Sequence, residues 1–252
     1  MPDPVLGAAG PAPAAMPPAD LCEVRDLGRC GYRKAWDLQL DLVRRRKQGA
    51  ICDQLLFVEH PPTITMGRNA DAAHILAAPD RLRQLGFSVQ ETDRGGDVTY
   101  HGPGQVVAYP ILDLRQWQRD VGAYLRALEE VVMSALSDFG IRAQRSPGLT
   151  GVWVADAKIA ALGVHLSRWV TSHGLALNVS TDLDHFRWIV PCGLARPVTS
   201  MERELGRAPS RQAVLEALSA RFGEVFGRTV RGRAATGFEQ GTGSEEERKW
   251  PM

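Results

Sequence analysis

Residues 150–180 constrain the fold more than any other stretch. TGVWVAD (150–156), KIAALGVHL (158–166), RWVTSHG (168–174) and LALNVS (175–180) each read as a strand, rich in β-branched and apolar residues. Turns of only two or three residues fit between them. Strands joined that tightly lie antiparallel, because a parallel neighbour needs a crossover of about a dozen residues. The run is therefore expected to be an antiparallel meander.

Further strands are expected at QLLFVEH (54–60), FSVQE (87–91), DVTYH (97–101) and QVVAYP (105–110). Three segments instead repeat at helical spacing. In 31–47 the stripe is Tyr32, Ala35, Trp36, Gln39, Leu40 and Val43. In 117–139 it is Val121, Tyr124, Leu125, Leu128, Val132, Leu136 and Phe139, stopped by Gly140. In 210–227 it is Val214, Leu215, Leu218, Phe222, Val225 and Phe226, with Ser210 placed as N-cap. Helices before and after a central set of strands predict an α/β (α+β) fold, a mixed β-sheet flanked by helices.

The sequence predicts one folded domain over residues 21–230. The Pro/Ala-rich arm 1–20 lacks a basic n-region and a Leu-rich stretch, so it reads as disordered rather than as a leader. The polar, Gly-rich tail 231–252 reads as disordered too. A formal net charge of +1 argues against nucleic-acid binding, which needs a basic excess. No apolar run approaches the ~18 residues of a membrane span. A cytoplasmic location and a monomer are the default expectations. Cys22, Cys30, Cys52 and Cys192 form no C-x-x-C, and the histidines show no metal-ligand spacing, so no metal is expected.

Three features can carry chemistry. RGGDVTYHGPGQ (94–105) combines four glycines with a forked donor, Arg94, and a titratable ring, His101. Exposed N–H groups in such a loop hold anions or a developing oxyanion. Its spacing is neither that of a Walker loop nor that of a dinucleotide fingerprint. Alone it reads equally well as a Gly-rich hairpin. Lys158 lies among apolar strand residues, sharing an expected face with Ala160 and Leu162 and opposite Ile159, Ala161 and Gly163. A plain exposed lysine at a strand start is the commoner case. Cys192 stands between Pro191 and Gly193, on a turn that presents the thiol. Alone it reads as a buried, inert cysteine.

Together these segments resemble the lipoyl(octanoyl) transferase family of lipoate biosynthesis. RGGDVTYHGPGQVVAYPILDL, GVWVADAKIAALGVH, and HGLALNVSTDL followed by IVPCGL match its motifs in order and spacing, over roughly residues 22–227 and with no departure at any motif position. The resemblance implies a catalytic domain like those of biotin and lipoate protein ligases. It also implies transfer of an octanoyl group from octanoyl-acyl carrier protein to a lysine of lipoyl domains, in 2-oxoacid dehydrogenases and the glycine cleavage H protein, with no cofactor. It places the acyl-thioester nucleophile on Cys192 and its partner on Lys158. Substrate-binding stretches fall on Arg94, Gly95, Gly96, Asp97, Val98, Thr99, Tyr100 and His101, on Ala161, Leu162 and Gly163, and on Gly174, Leu175 and Ala176. His101 is expected to line the site and orient substrate or loop, with His165 and His173 as structural strand residues.

The implied chemistry is a two-step covalent transfer. Thioester-to-thiol exchange is nearly neutral in energy, so it requires no ATP. A free thiol, pKa ≈ 8.5, is only a few per cent ionised at neutral pH. An ammonium about 4 Å away, at an effective dielectric of ~20, is worth about 4 kcal/mol. That can lower the thiol pKa by up to roughly 3 before desolvation offsets it. Three rivals remain: an ATP-dependent lipoate or biotin protein ligase, which needs no cysteine; a non-catalytic binding scaffold; and a cysteine hydrolase. For the acidic partner proteins, the run Arg44–Lys47 and Arg115, Arg119 and Arg126 are candidate basic patches, or else ordinary solvated faces.

Overall fold

Strand β2 (Asp53–Glu59) shows why the sheet is covered on both sides. Its alternating residues enter two different cores: Leu55 and Phe57 one, Leu56 and Val58 the other. The structure, a computed structural model, describes residues 18, 20–190 and 196–232. Within them a seven-stranded mixed sheet runs β10 (Thr229–Gly232), β1 (Leu21–Arg29), β2, β6 (Gln105–Ile111), β9 (Val170–Asn178), β8 (Ala157–Ser167) and β7 (Val152–Val154). β1 pairs parallel with β10 and β2, and every other pair is antiparallel.

Helices α3 (Val121–Asp138) and α5 (Arg211–Phe226) cover one face through Tyr124, Leu128, Val132, Leu218 and Phe222. Helix α1 (Tyr32–Lys47) covers the other through Ala35, Leu42 and Val43. A smaller sheet, β4 (Ser88–Glu91), β3 (Thr63–Met66) and β5 (Val98–His101), has its own core with Leu82 of α2 (Pro79–Gln84) and Phe87. The short helix α4 (Met201–Leu205) precedes α5.

Several expectations hold to within a residue or two. Helix α1 spans 32–47, and Ser210 caps α5 by accepting from Ala213 N–H. Others need correction. The helix expected from 117 begins at Val121, because Asp120 is extended and caps the Ala123 N–H. Trp117 lies outside the helix and packs at a tilt against Phe226, ring centroids 5.1 Å apart. The strands expected at 168–174 and 175–180 are one strand, β9, paired without interruption to β8 from Val170 to Leu177. The turn lies before it, at Arg168 and Trp169, both with positive φ. Arg231 and Gly232, expected in the tail, belong to β10.

The expected basic patches are largely engaged within the fold. Arg46 is buried and ion-paired with Asp53 at 2.7 Å, Arg44 bonds Asp41, Arg115 bonds Asp113 at 2.6 Å, and Arg126 bonds Glu129 at 2.6 Å. No helix among the described residues is long and apolar enough to cross a membrane.

Candidate active site

Two of the stretches singled out in the sequence lie opposite each other. Across β8 and β9, Ala161 pairs with Ala176, Leu162 with Leu175, and Gly163 with Gly174. Leu162 and Leu175 pack into the core beneath α3 and α5. The small pairs leave a trough on the opposite face. Over it stands the Gly-rich loop, docked by Gly95 N–H donating to the Val164 carbonyl at 2.8 Å. A Cβ at Gly163 would meet Gly95 O at 2.8 Å, so only glycine allows this approach. The resulting cleft spans about 460 Å³ of open space, solvent at its mouth included.

Arg94 fastens the loop. Its guanidinium donates to Thr65 Oγ1 at 2.9 and 3.1 Å, to Thr65 O at 2.7 Å and to Gly95 O at 3.0 Å. Asp97 braces the other wall. It accepts from Val98 N–H at 2.7 Å and Asp71 N–H at 3.2 Å, and meets His74 Nδ1 at 2.5 Å. Alternation along β5 sends Thr99 and His101 to the cleft. Tyr100 is a correction. Its ring packs against Phe87 and Phe186 in the small core, and its hydroxyl meets His185 Nδ1 at 2.8 Å. Gly95 is likewise not among the lining residues; the other expected substrate residues border the cleft, Leu162 and Leu175 while also packing into the core.

A polar chain crosses the floor. Asn178 Nδ2 donates to the Thr199 carbonyl at 3.0 Å, leaving its Oδ1 to accept from Gln105 Nε2 at 3.0 Å. Gln105 Nε2 also donates to Tyr100 O, so its Oε1 is the acceptor facing His101 Nδ1 at 2.8 Å. The network therefore assigns His101 a proton on Nδ1 and a lone pair on Nε2. Burial, with repulsion from His60, lowers the His101 pKa to about 3 against the pull of Gln105, so the ring is neutral at physiological pH. Tyr32 stacks on it with centroids 5.8 Å apart.

A second pocket adjoins the cleft, spanning about 320 Å³ with open solvent included and sharing Thr99, Ala161 and Ala176 as its wall. Lys158 lines this inner end together with Gln105, Asn178, Phe186 and Val198. Simple alternation put Lys158 and Ala161 on opposite faces. A β-bulge corrects that expectation. Val152 pairs with Ala160 but Trp153 with Lys158, so Ile159 is the extra residue. Ile159 and Ala160 both enter the core, while Lys158 and Ala161 face the same cavity. Lys158 is only 9 % exposed.

Cys192 lies outside the described residues. Both flanks of its segment are tied to the site. Val190 N–H donates to His74 O at 2.8 Å, and Lys158 exchanges backbone bonds with Pro197 O and Thr199 N–H at 2.9 and 3.0 Å.

Several lining residues were not expected as site residues: Tyr32, Val107, Tyr109 and His173 in the cleft, and Asn178, Phe186 and Val198 around Lys158, together with Gln105, the last residue of the loop motif. Gln105 and Asn178 carried a usable signal, as amides on otherwise apolar strands. His173, expected to be structural, is buried with φ +56°, and its Nε2 meets Asp93 Oδ1 at 2.6 Å. Burial lowers its pKa, with the Asp93 bond opposing. Among the described residues, no group of three or more His, Cys, Asp or Glu side chains is placed to hold a metal ion.

A mixed sheet with a Gly-roofed trough ending at a buried lysine defines the class, and residues 31–223 match the family described as the lipoyl protein ligase A/B catalytic domain. The chain belongs to this family, and it is an acyltransferase. It is 57 % identical over 205 residues to the octanoyltransferase of Solibacter usitatus, covering 81 % of this chain and 93 % of that one. To the octanoyltransferase of Koribacter versatilis it is 51 % identical, covering 82 % and 84 %. Among solved structures, lipoate-protein ligase A bound with ATP superposes with a TM-score of 0.71 at 19 % identity, covering 84 % of this chain and 88 % of the ligase. The bi-partite lipoate protein ligase of Thermoplasma acidophilum gives 0.69 at 19 %, covering 84 % and 86 %. At that identity the likeness is one of fold.

Proposed function

We propose that this chain moves an octanoyl group from octanoyl-acyl carrier protein to one lysine of a lipoyl domain, through a thioester on Cys192. The acceptors are lipoyl domains of 2-oxoacid dehydrogenases and the glycine cleavage H protein. The observation that carries this reading is the trough of paired small residues, which shares Thr99, Ala161 and Ala176 with the pocket that Lys158 lines. Apolar walls suit a saturated chain, and the charged group sits where the chain's reactive end arrives.

In the first step the Cys192 thiolate attacks the donor's thioester carbon. The tetrahedral intermediate collapses to acyl-Cys192 and releases the carrier thiolate, which takes up a proton. In the second step the neutral acceptor amine attacks acyl-Cys192, forming the amide and regenerating the thiol. Lys158 favours the thiolate in both steps and exchanges the proton. Gly96, Asp97, Val98 and Thr99 from the loop, with Ala161, Gly163, Gly174 and Ala176 below, bind the acyl chain. Arg94, Gly95 and His101 hold the loop and floor in shape. Both flanks of the Cys192 segment, tied to His74 and to Lys158, support placing the thiol at this end.

The product separates this reading from hydrolysis. Incubation with octanoyl-acyl carrier protein and an apo lipoyl domain, without ATP, is expected to give a domain heavier by one octanoyl group on a lysine. Free octanoate with unmodified domain would assign a hydrolase. Transfer only with free octanoate and ATP would assign a ligase.

A further inference from the structure

Lys158 is gripped by one aromatic ring. Trp153 is its direct cross-strand partner between β7 and β8, so the two side chains share a face. Lys158 Nζ stands 4.8 Å from the indole centroid, within cation–π range. Arg196, four residues after Cys192, lays its guanidinium over the same ring with Cζ 5.4 Å from the centroid. The indole thus meets two cations, Lys158 and Arg196.

The ring itself is fixed. Trp153 is 2 % exposed, and its backbone exchanges two bonds with Gln144, at 2.8 and 2.9 Å. Its Nε1 has no hydrogen-bond partner among the described residues. The part of this residue that meets Lys158 and Arg196 is its electron-rich face. From the other side, Gly151 abuts the lysine stem: a Cβ there would stand 3.3 Å from Lys158 Cε and 3.0 Å from Ala160 O. Gly151 N–H donates to Glu129 Oε1 at 3.0 Å, and Glu129 is fully buried between Arg126 and Arg145.

We propose that Trp153 is a positioning residue of the acyl transfer, holding the Lys158 ammonium in place through its π face. The proposal rests on Lys158 acting as the charge partner of Cys192. Its test is the pH profile of Cys192 alkylation by iodoacetamide in the full chain, read by peptide mass. Burial raises the pKa values of Cys22, Cys30 and Cys52, which keeps their background low.

The lysine variant Lys158→Ala is expected to move the alkylation midpoint upward. Trp153→Leu should move it in the same direction by about half a pH unit or more and lower kcat about 3- to 30-fold, with KM for the carrier little changed. Trp153→Phe, which keeps a π face, should recover at least half of both effects. If Lys158→Ala leaves the profile unchanged, the reading of Lys158 fails, and this proposal with it. If Lys158→Ala shifts the profile but Trp153→Leu does not, or if Phe behaves as Leu does, the proposal alone is overturned. Should the Leu variant not fold, fluorinated tryptophans at position 153 keep the shape and weaken the π face. The midpoint must then climb with fluorine number, and a flat series would overturn the proposal.

Discussion

Asp53 opens β2 and His60 follows its end, about 23 Å away at roughly 3.3 Å per residue. Both are buried and polar, yet the two ends are built on opposite principles. Asp53 takes Arg46 Nε at 2.7 Å, Arg228 Nε at 2.9 Å and Asp113 N–H at 3.1 Å. Charges of both signs are locked together there, joining α1, β2 and the chain entering β10. At the far end, His60 bonds Cys30 O at 2.7 Å and Tyr109 Oη at 2.8 Å, with the rings of Tyr32 and His101 packed around it. Burial lowers the His60 pKa to about 4 against the Cys30 bond, so this end is neutral. The difference teaches where ions are useful in this fold. The frame uses its charges for connection, while the cleft keeps the histidines of its floor neutral and holds Arg94 and Asp97 in its walls through hydrogen bonds.

The strongest way to break the frame is Asp53→Ala, which leaves two buried guanidiniums without their shared carboxylate. The expected loss is about 3–5 kcal/mol of unfolding free energy in urea titration at pH 7. The Cys192 alkylation profile of the folded fraction should not move. Lys158→Ala is the mirror case at the cleft. Octanoyl transfer should fall roughly 100-fold or more in steady-state assays, while the urea midpoint stays near that of the parent chain.

Acidification sharpens the contrast. The His60 pKa is depressed in the folded chain, so between about pH 6.5 and 4 the unfolded state binds a proton that the folded state refuses. Stability is complete above that window and is lost as pH falls through it, by about 2 kcal/mol for His60 at pH 5. His101, lowered to about 3, adds in the same direction. At the frame end, burial works to raise the Asp113 carboxyl, but Arg115 outweighs it and holds the pKa below the ordinary value. That carboxylate therefore stays ionised through this range. A urea midpoint that does not fall between pH 7 and 5 would contradict the neutral-floor assignment, and His60→Asn should flatten the slope. The smallest effect is expected of Arg115→Gln. The Asp113–Arg115 pair is half open to water on the arginine side, and its loss should change stability by less than about 1 kcal/mol.

Much of this architecture was legible in the sequence, and the misses share a cause. The helical stripes of α1 and α5 and the alternation of β2 and β6 are local patterns, and they appear nearly as read. The loop glycines and the small residues of β8 stood out because close approach demands those residue types, and Arg94 as a forked donor, while Gly174 and Ala176 of β9 were marked only by the family resemblance. The bulge at Ile159 was not, since a one-residue slip in pairing leaves no mark on composition, yet it decides that Lys158 faces the cavity with Ala161. Tyr32, Tyr109 and His173 join the cleft through contacts more than 60 residues apart in the chain. No local pattern carries such contacts. Tyr100 was misread for the opposite reason: it lies inside a motif, but strand alternation turns it away from the site.

The central claim is that Cys192 carries the acyl group as a thioester without ATP. Incubating the full chain with octanoyl-acyl carrier protein alone, then measuring intact mass, tests it directly. The account predicts one added octanoyl group, lost on treatment with neutral hydroxylamine, mapped to the Cys192 peptide and absent from Cys192→Ala. No adduct until ATP and free octanoate are supplied, or an adduct undiminished in Cys192→Ala, would contradict it.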